Sequence, residues 1–132
     1  MIFVDTSAWV ALAARRDEHH DDALALLRRL DDETLVTSNH VVGETWTFLN
    51  RRYGHAAAVS FLDRAESSER VEVVFVEHEL EVDALAWLRR RDDREYSFVD
   101  ATSFALMRSL RLREAFAFDG DFAAAGFAEL RA

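Results

Sequence analysis

At 132 residues, half of them hydrophobic, the chain is long enough for one globular domain, residues 1–132, with its own core. Cysteine is absent, which removes disulfides, thiolate metal sites and thiol catalysis; all 16 basic residues are arginine, so no lysine is available for a phosphate-binding P-loop or for Schiff-base chemistry. The net charge of −9 argues against nucleic-acid binding that rests on phosphate neutralisation alone, although a cation held in an acidic site changes its own local field.

In chain order, residues 2–4 form a short apolar run bounded by Asp5, Thr6 and Ser7, and read as a buried strand feeding a helix over 7–15. Residues 19–30 carry Ala23, Leu26, Leu27 and Leu30 at helical spacing. A second strand over 34–37 leads to Ser38 and Asn39 as cap candidates and a helix over 40–52. Gly54 punctuates the chain before a helix over 56–65. The β-branched run 71–76 reads as a strand. Helices follow over 80–91 and 99–112, separated by the charged loop 92–95. A strand over 115–118, a short helix from about Phe122 and a last strand over 128–130 complete the chain.

Strands too short and apolar to stand alone, alternating with helices, predict an α/β domain with a mainly parallel central sheet. No linker or internal repeat interrupts it. The apolar N-terminal stretch is broken by Asp5, and Arg15 and Arg16 follow it instead of preceding it, so it does not read as a secretory signal. With no run near the ~18 apolar residues of a membrane span, the expectation is a cytoplasmic protein without a membrane partner.

Four acids then stand out: Asp5, Glu44, Asp100 and Asp119. A carboxylate on an apolar face is costly unless neutralised, and several converging on one spot repel one another, for which a bound divalent cation is the usual remedy. The pattern therefore reads as a small metal-dependent enzyme. Each acid also has a plainer reading. Glu44 shares a helix face with His40, Val41 and Phe48, and is either a ligand or a boundary glutamate whose head turns outward. Asp100 shares its face with Ser103, Phe104 and Met107, and is either a ligand or a first-turn acid favoured by the helix dipole. Asp5 stands at a strand-to-helix junction where it or its hydroxyl neighbours would cap. Asp119 and Asp121 flank Gly120; Asp119 leaves the strand end directly and is the better ligand, whereas Asp121 reads as a cap, with a role in holding a water as its alternative.

The motifs Ile2-Phe-Val-Asp5-Thr-Ser-Ala-Trp, Glu44 in the third predicted helix, Ser97-Phe-Val-Asp100-Ala-Thr-Ser-Phe-Ala and Ala117-Phe-Asp119-Gly-Asp121-Phe, in that order over essentially the whole chain, resemble the PIN-domain ribonucleases, and among them the VapC-type toxins of bacterial and archaeal toxin–antitoxin pairs. The resemblance implies a three-layer α/β/α fold in which Asp5, Glu44, Asp100 and Asp119 meet at one end of the sheet, bind Mg²⁺ or Mn²⁺ and are catalytic. It implies an endoribonuclease that hydrolyses RNA phosphodiesters with a metal-activated water, leaving a 5′-phosphate and a 3′-hydroxyl. It further implies neutralisation by a cognate antitoxin protein and a homodimer, for which residues 46–53 and 56–62 are the expected surface. Oxygen-only donors suit Mg²⁺ or Mn²⁺ over zinc. Thr6 and Ser103 are candidate hydroxyls for orienting a carboxylate or water.

Other residues receive plainer readings. Adjacent His19 and His20 point about 100° apart on a helix and do not easily share an ion, so they read as a solvated helix start. The run Arg89–Arg91 with Arg94 reads as a solvated helix end, with RNA phosphate contact as its alternative; Arg15, Arg16, Arg51 and Arg52 are similar candidates. Trp9, Trp46 and Trp87 fall among apolar neighbours and read as core or interface. The competing functions are a non-catalytic PIN-fold binding module and a doubly wound phosphohydrolase. The latter lacks its phosphoryl-holding lysine here, and Ser7 stands where the haloacid-dehalogenase-like enzymes place a second aspartate.

Overall fold

The structure is a computed structural model and describes residues 1–132. Five strands alternate with seven helices: β1 (Ile2–Val4), α1 (Thr6–Ala13), α2 (His20–Arg29), β2 (Leu35–Ser38), α3 (Asn39–Tyr53), α4 (His55–Ser67), β3 (Val71–Val74), α5 (His78–Arg90), α6 (Phe98–Ser109), β4 (Glu114–Phe116), α7 (Asp121–Ala124) and β5 (Ala128–Glu129). All strand pairs are parallel, in the order β3-β2-β1-β4-β5. From β1 the chain runs outward to β2 and β3, then returns across the sheet to β4 and β5. Right-handed crossovers therefore place α1–α4 on one face and α5–α7 on the other. The packing agrees: α1 touches α2 and α3, α3 touches α4, and α5 and α7 both touch α6. The result is the expected three-layer α/β/α domain.

The predicted elements are all present, and the boundary differences have local causes. The third strand stops at Val74 because the Val76 N–H donates to the Asn39 side chain at 2.8 Å instead of continuing the ladder. The long helix expected to reach 112 ends at Ser109, where Arg111 adopts a left-handed φ of 57° and the Leu112 N–H turns back to the Met107 carbonyl at 2.9 Å. The fourth strand ends at Phe116, since the Phe118 N–H goes to the Ser7 hydroxyl at 3.0 Å.

The core is a contiguous apolar cluster centred on β1, β4 and α6. Phe104 packs edge-on against Phe122 at 4.9 Å between ring centres, and Phe122 lies 6.0 Å from Phe3. Trp9 and Trp87 are buried within it as expected, while Trp46 is half-buried and packs edge-on against His55 at 5.7 Å. The Trp9 indole donates to Thr37, whose hydroxyl donates to the Val4 carbonyl, so the tip of β2 is pinned beside that of β1.

Candidate active site

β1 and β4 are neighbours, and the strand order reverses between them. That reversal opens a crevice beyond the carboxyl ends of the strands, the usual ligand position in such sheets. Asp5 leaves β1 into this crevice, and its N–H donates to the Phe116 carbonyl at 3.0 Å, tying it to the exit of β4. Asp5 is also the N-cap of α1: its Oδ2 accepts from the Ser7 N–H at 3.2 Å and from the Ser7 hydroxyl at 2.8 Å. The same hydroxyl accepts the Phe118 N–H, so Ser7 joins both strand ends.

Asp100 is buried at the start of α6. It forms a capping box with Ser97, accepting the Ser97 N–H on Oδ2 at 3.0 Å while its own N–H donates to the Ser97 hydroxyl at 2.9 Å. Asp119 lies on the turn after β4, where Gly120 takes a left-handed φ of 83°. The Asp119 Oδ1 accepts the Asp121 N–H at 3.2 Å. Two side chains clamp this turn. Arg94 donates Nε to Asp121 at 2.7 Å and Nη2 to the Asp119 carbonyl at 3.1 Å, while Glu129 accepts the N–H groups of Gly120 and Ala123 at 3.3 and 3.0 Å. A side chain at position 120 would crowd the Arg94 guanidinium as well as strain the backbone, since its Cβ would lie 3.2 Å from Nη2.

Asp5, Glu44, Asp100 and Asp119 all line one cleft of about 260 Å³, with Thr6, Ser7, Val10, Asp17, His19 and Phe48 completing the wall. One carboxylate oxygen each from Asp100, Asp119 and Asp121 lie within 4.8 Å of one another, with Asp121 beside the cleft and not part of its wall. Asp5 and Glu44 line the cleft but stand outside that tight group, Asp5 buried at the end of β1 and Glu44 half-buried, reaching in from α3 on the opposite layer.

The electrostatics are those of carboxylates held against their preference. Burial, then the charge of Asp119, pushes the Asp5 carboxyl up to about 8, against the opposing hydrogen bonds from Ser7. Burial raises Asp100 to about 6, with the charges of Asp121 and Asp119 adding and the Ser97 N–H opposing. Asp119 is also raised: it is open on one side, yet lost hydration on its inner side is the largest cause, and Asp121 and Glu129 add to it. Without a cation, the cleft therefore retains protons that isolated carboxyls would have lost. The buried Thr6 hydroxyl has no hydrogen-bond partner and lines the same cleft. Oxygen donors alone, surplus negative charge and an unsatisfied hydroxyl fit a hard divalent cation such as Mg²⁺ or Mn²⁺.

Several readings need correction. Asp121 is not simply a cap: it is the first residue of α7, and its carboxylate turns into the acidic group. The Ser103 hydroxyl donates to the Val99 carbonyl of its own helix at 2.8 Å and is not part of the cleft wall. His20 and His19 are not free in solvent. The His20 Nδ1 lies 2.7 Å from the Ala11 carbonyl, and the His19 ring stacks on Phe118 at the edge of the cleft. In the arginine run, Arg91 lies over Trp87 at 4.8 Å and pairs with Asp93 at 2.9 Å. Sequence reasoning also missed the Glu129 clamp, for which no local signal exists: the acid lies on a two-residue strand far from the motifs it supports.

A parallel α/β/α sheet with carboxylates gathered at its strand-order reversal is the architecture of a PIN domain, and the PIN domain family model matches residues 2–128. The chain belongs to the PIN-domain family and, within it, to the VapC type. The 23S rRNA-specific endonuclease VapC20 of Mycobacterium tuberculosis is 54% identical over 134 residues, covering 99% of this chain and 98% of that protein. The crystal structure of Mycobacterium tuberculosis VapC20, a sarcin–ricin loop cleaving toxin, matches with a TM-score of 0.93 at 52% identity over the whole of both chains. FitAcB from Neisseria gonorrhoeae shares the fold, with a TM-score of 0.71 at 17% identity over 98% of this chain and 96% of that one.

Proposed function

We propose that this chain is an Mg²⁺- or Mn²⁺-dependent endoribonuclease toxin that cuts 23S rRNA at the sarcin–ricin loop and is neutralised by a cognate antitoxin. The observation that carries the nuclease reading is the gathering of Asp5, Glu44, Asp100 and Asp119 in one cleft, with Asp5 and Asp100 held at raised proton affinity by burial. The substrate rests on the identity to VapC20 over nearly the full length of both proteins. The antitoxin rests on the same kinship, because a toxin with a ribosomal target must be held in check by the cell that makes it.

Asp5, Asp100 and Asp119, with Asp121 beside them and Glu44 across the cleft, would hold the cation. Once bound, it supplies a water of lowered pKa and offsets the charge that develops on the leaving 3′-oxygen. The chain's own contribution is preorganisation. Ser7 and Ser97 fix Asp5 and Asp100 through hydrogen bonds, and Arg94 and Glu129 fix the turn that carries Asp119 and Asp121. A broad groove lined by Asn39, His40, Thr47, Arg51 and Arg52 shares Glu44 and Phe48 with the cleft. Its two arginines suit the phosphates of an RNA strand leading to the acids.

A homodimer fits the same reading, with residues 46–53 on α3 and 56–62 on α4 as its proposed surface, where Trp46, Tyr53 and Leu62 are only partly buried. Sedimentation at tens of micromolar checks this, and a monomer throughout would reject it. No helix is long and apolar enough to cross a membrane, and a ribosomal substrate would place the enzyme's work in the cytoplasm.

The decisive experiment incubates purified protein with 23S rRNA and Mn²⁺ and maps the new 5′ ends. A single cut in the sarcin–ricin loop, abolished by EDTA and by Asp5→Ala, is expected. Cutting that survives EDTA would remove the metal from the reading; no cutting at all would remove the activity.

A further inference from the structure

An RNA phosphodiester entering the acidic cleft meets a wall of its own sign. The lining is carboxylate, hydroxyl and hydrocarbon, and the imidazole of His19 is its one nitrogen-bearing side chain. Arg94, which touches the acid-bearing turn, is already engaged with Asp121 and the Asp119 carbonyl, and Arg91 is engaged with Trp87 and Asp93. Arg51 and Arg52 line the neighbouring groove instead.

His19 is held where a donor is needed. Its ring stacks on Phe118 with centres 4.6 Å apart and planes 3° from parallel. The His19 backbone N–H donates to the Asp17 carboxylate at 2.9 Å, which fixes the turn entering α2. Phe118 is itself anchored to the acids, through its N–H to the Ser7 hydroxyl and from that hydroxyl to Asp5. A ring stack and two hydrogen bonds thus register the imidazole against the buried carboxylate. The competing partner of the ring is Glu18, whose Oε1 lies 3.4 Å from Nε2 on a side chain 85% exposed. A solvated pair of that kind is readily exchanged for a ligand. His19 also lines a second cavity, with Phe118, Asp22 and Arg131, so it stands where the two hollows adjoin.

The geometry points to His19 as a substrate-positioning residue that donates a ring N–H to a phosphate oxygen of the RNA strand in the acidic cleft, with Phe118 as the backing that fixes the ring. The inference rests on the nuclease reading above. A neutral imidazole carries one N–H and an imidazolium two, so the contact requires no particular protonation state.

Three substitutions separate the ring from the donor. His19→Phe keeps the stack and deletes the donor, His19→Gln keeps a donor without the ring, and His19→Ala deletes both. Steady-state cleavage of a sarcin–ricin loop RNA with Mn²⁺ gives KM and kcat; calorimetry without RNA gives Mn²⁺ affinity. Losing a hydrogen bond to a charged group should raise KM by about ten-fold in the Phe and Ala variants. The Gln variant, a donor without the stack on Phe118, should recover part of that loss, with kcat and Mn²⁺ affinity near wild type throughout and the melting temperature unchanged in the Phe variant. A Phe variant with wild-type KM would overturn the inference, because ring packing alone would then suffice. A parallel loss of Mn²⁺ affinity would overturn it too, since His19 would then act by supporting the acids. A wild-type protein that cuts no RNA would sink the nuclease reading itself, and is recognised before any substitution is made.

Discussion

Replacing Asp5 with asparagine separates two jobs that one carboxylate performs. The amide oxygen can still accept from the Ser7 N–H and hydroxyl, so the α1 cap survives, while the buried charge is gone. In the wild type, Asp5 titrates at about 8 in the folded protein, against about 3.9 in an unfolded chain. Between those pH values the folded state binds the extra proton. Stability from this group is therefore complete below about pH 4, falls as pH rises, and is lost once pH has passed about 8. At about 1.4 kcal/mol per pH unit traversed, the ceiling is about 5–6 kcal/mol. Water entry and relaxation around a buried charge lower this, and about 2–4 kcal/mol is the working expectation. Asp100, raised to about 6, adds to the fall in the lower half of the same window.

The assay is urea unfolding in EDTA, followed by fluorescence of the buried Trp9 and Trp87. Asp5→Asn should match wild type near about pH 4 and exceed it by about 2–4 kcal/mol near about pH 8.5, with a flatter pH profile between. Mn²⁺ should then stabilise wild type strongly at the higher pH and the variant far less, because a ligand of the native state stabilises in proportion to its affinity. Identical pH slopes for the two proteins would refute the argument, since the protons would then reside elsewhere.

Asp121→Asn should weaken Mn²⁺ binding by about ten-fold in calorimetry, the scale of losing a carboxylate beside a metal; wild-type affinity would reduce Asp121 to an anchor for Arg94. Asp100→Asn should leave the metal-free protein at least as stable as wild type while cleavage falls by orders of magnitude, whereas Asp100→Ala should cost about 1 kcal/mol through loss of the cap. A loss above about 2 kcal/mol in the Asn variant, whose amide oxygen can still accept the Ser97 N–H, would mean that the Asp100 charge stabilises the metal-free fold and would refute the crowding argument. RNA affinity should depend shallowly on salt, with about two to four phosphate contacts at a slope of about −0.7 each; a slope implying about eight or more would show a misread charge distribution.

The alternation of strands and helices was legible because each apolar run has its own period and punctuation, and the strand-end placement of Asp5 and Asp119 followed from it. What was not legible depends on contacts between distant segments. Nothing local to Val71 reveals that the Asn39 side chain will end that strand. The spacing of His19 and His20 correctly gives them separate directions, yet the solvated reading fails because the partner of His19 is Phe118, from the opposite end of the chain. Asp121 was misassigned for a related reason. Its position beside Gly120 signals a turn, but only the Arg94 and Glu129 clamps decide which way the turn faces.

The choice between cap and ligand, posed for each acid in turn, was falsely exclusive. A carboxylate has two oxygens and about four lone-pair sites, so it can orient itself with one oxygen and present the other. Asp5 and Asp100 each give Oδ2 to a helix start, Asp119 gives Oδ1 to the Asp121 N–H, and Asp121 gives Oδ1 to Arg94. Each is aimed by a structural hydrogen bond on one oxygen, which leaves the second for the cleft. The cap readings are therefore the means by which the acids converge. Four side chains already tethered, Asp121 by the exposed Arg94, would need little further ordering to hold a cation, so less of its binding energy would be spent on immobilising them. Glu44 has no such tether and would have to be ordered on binding, so under the proposed function it is the acid whose position would depend most on the cation and the RNA strand.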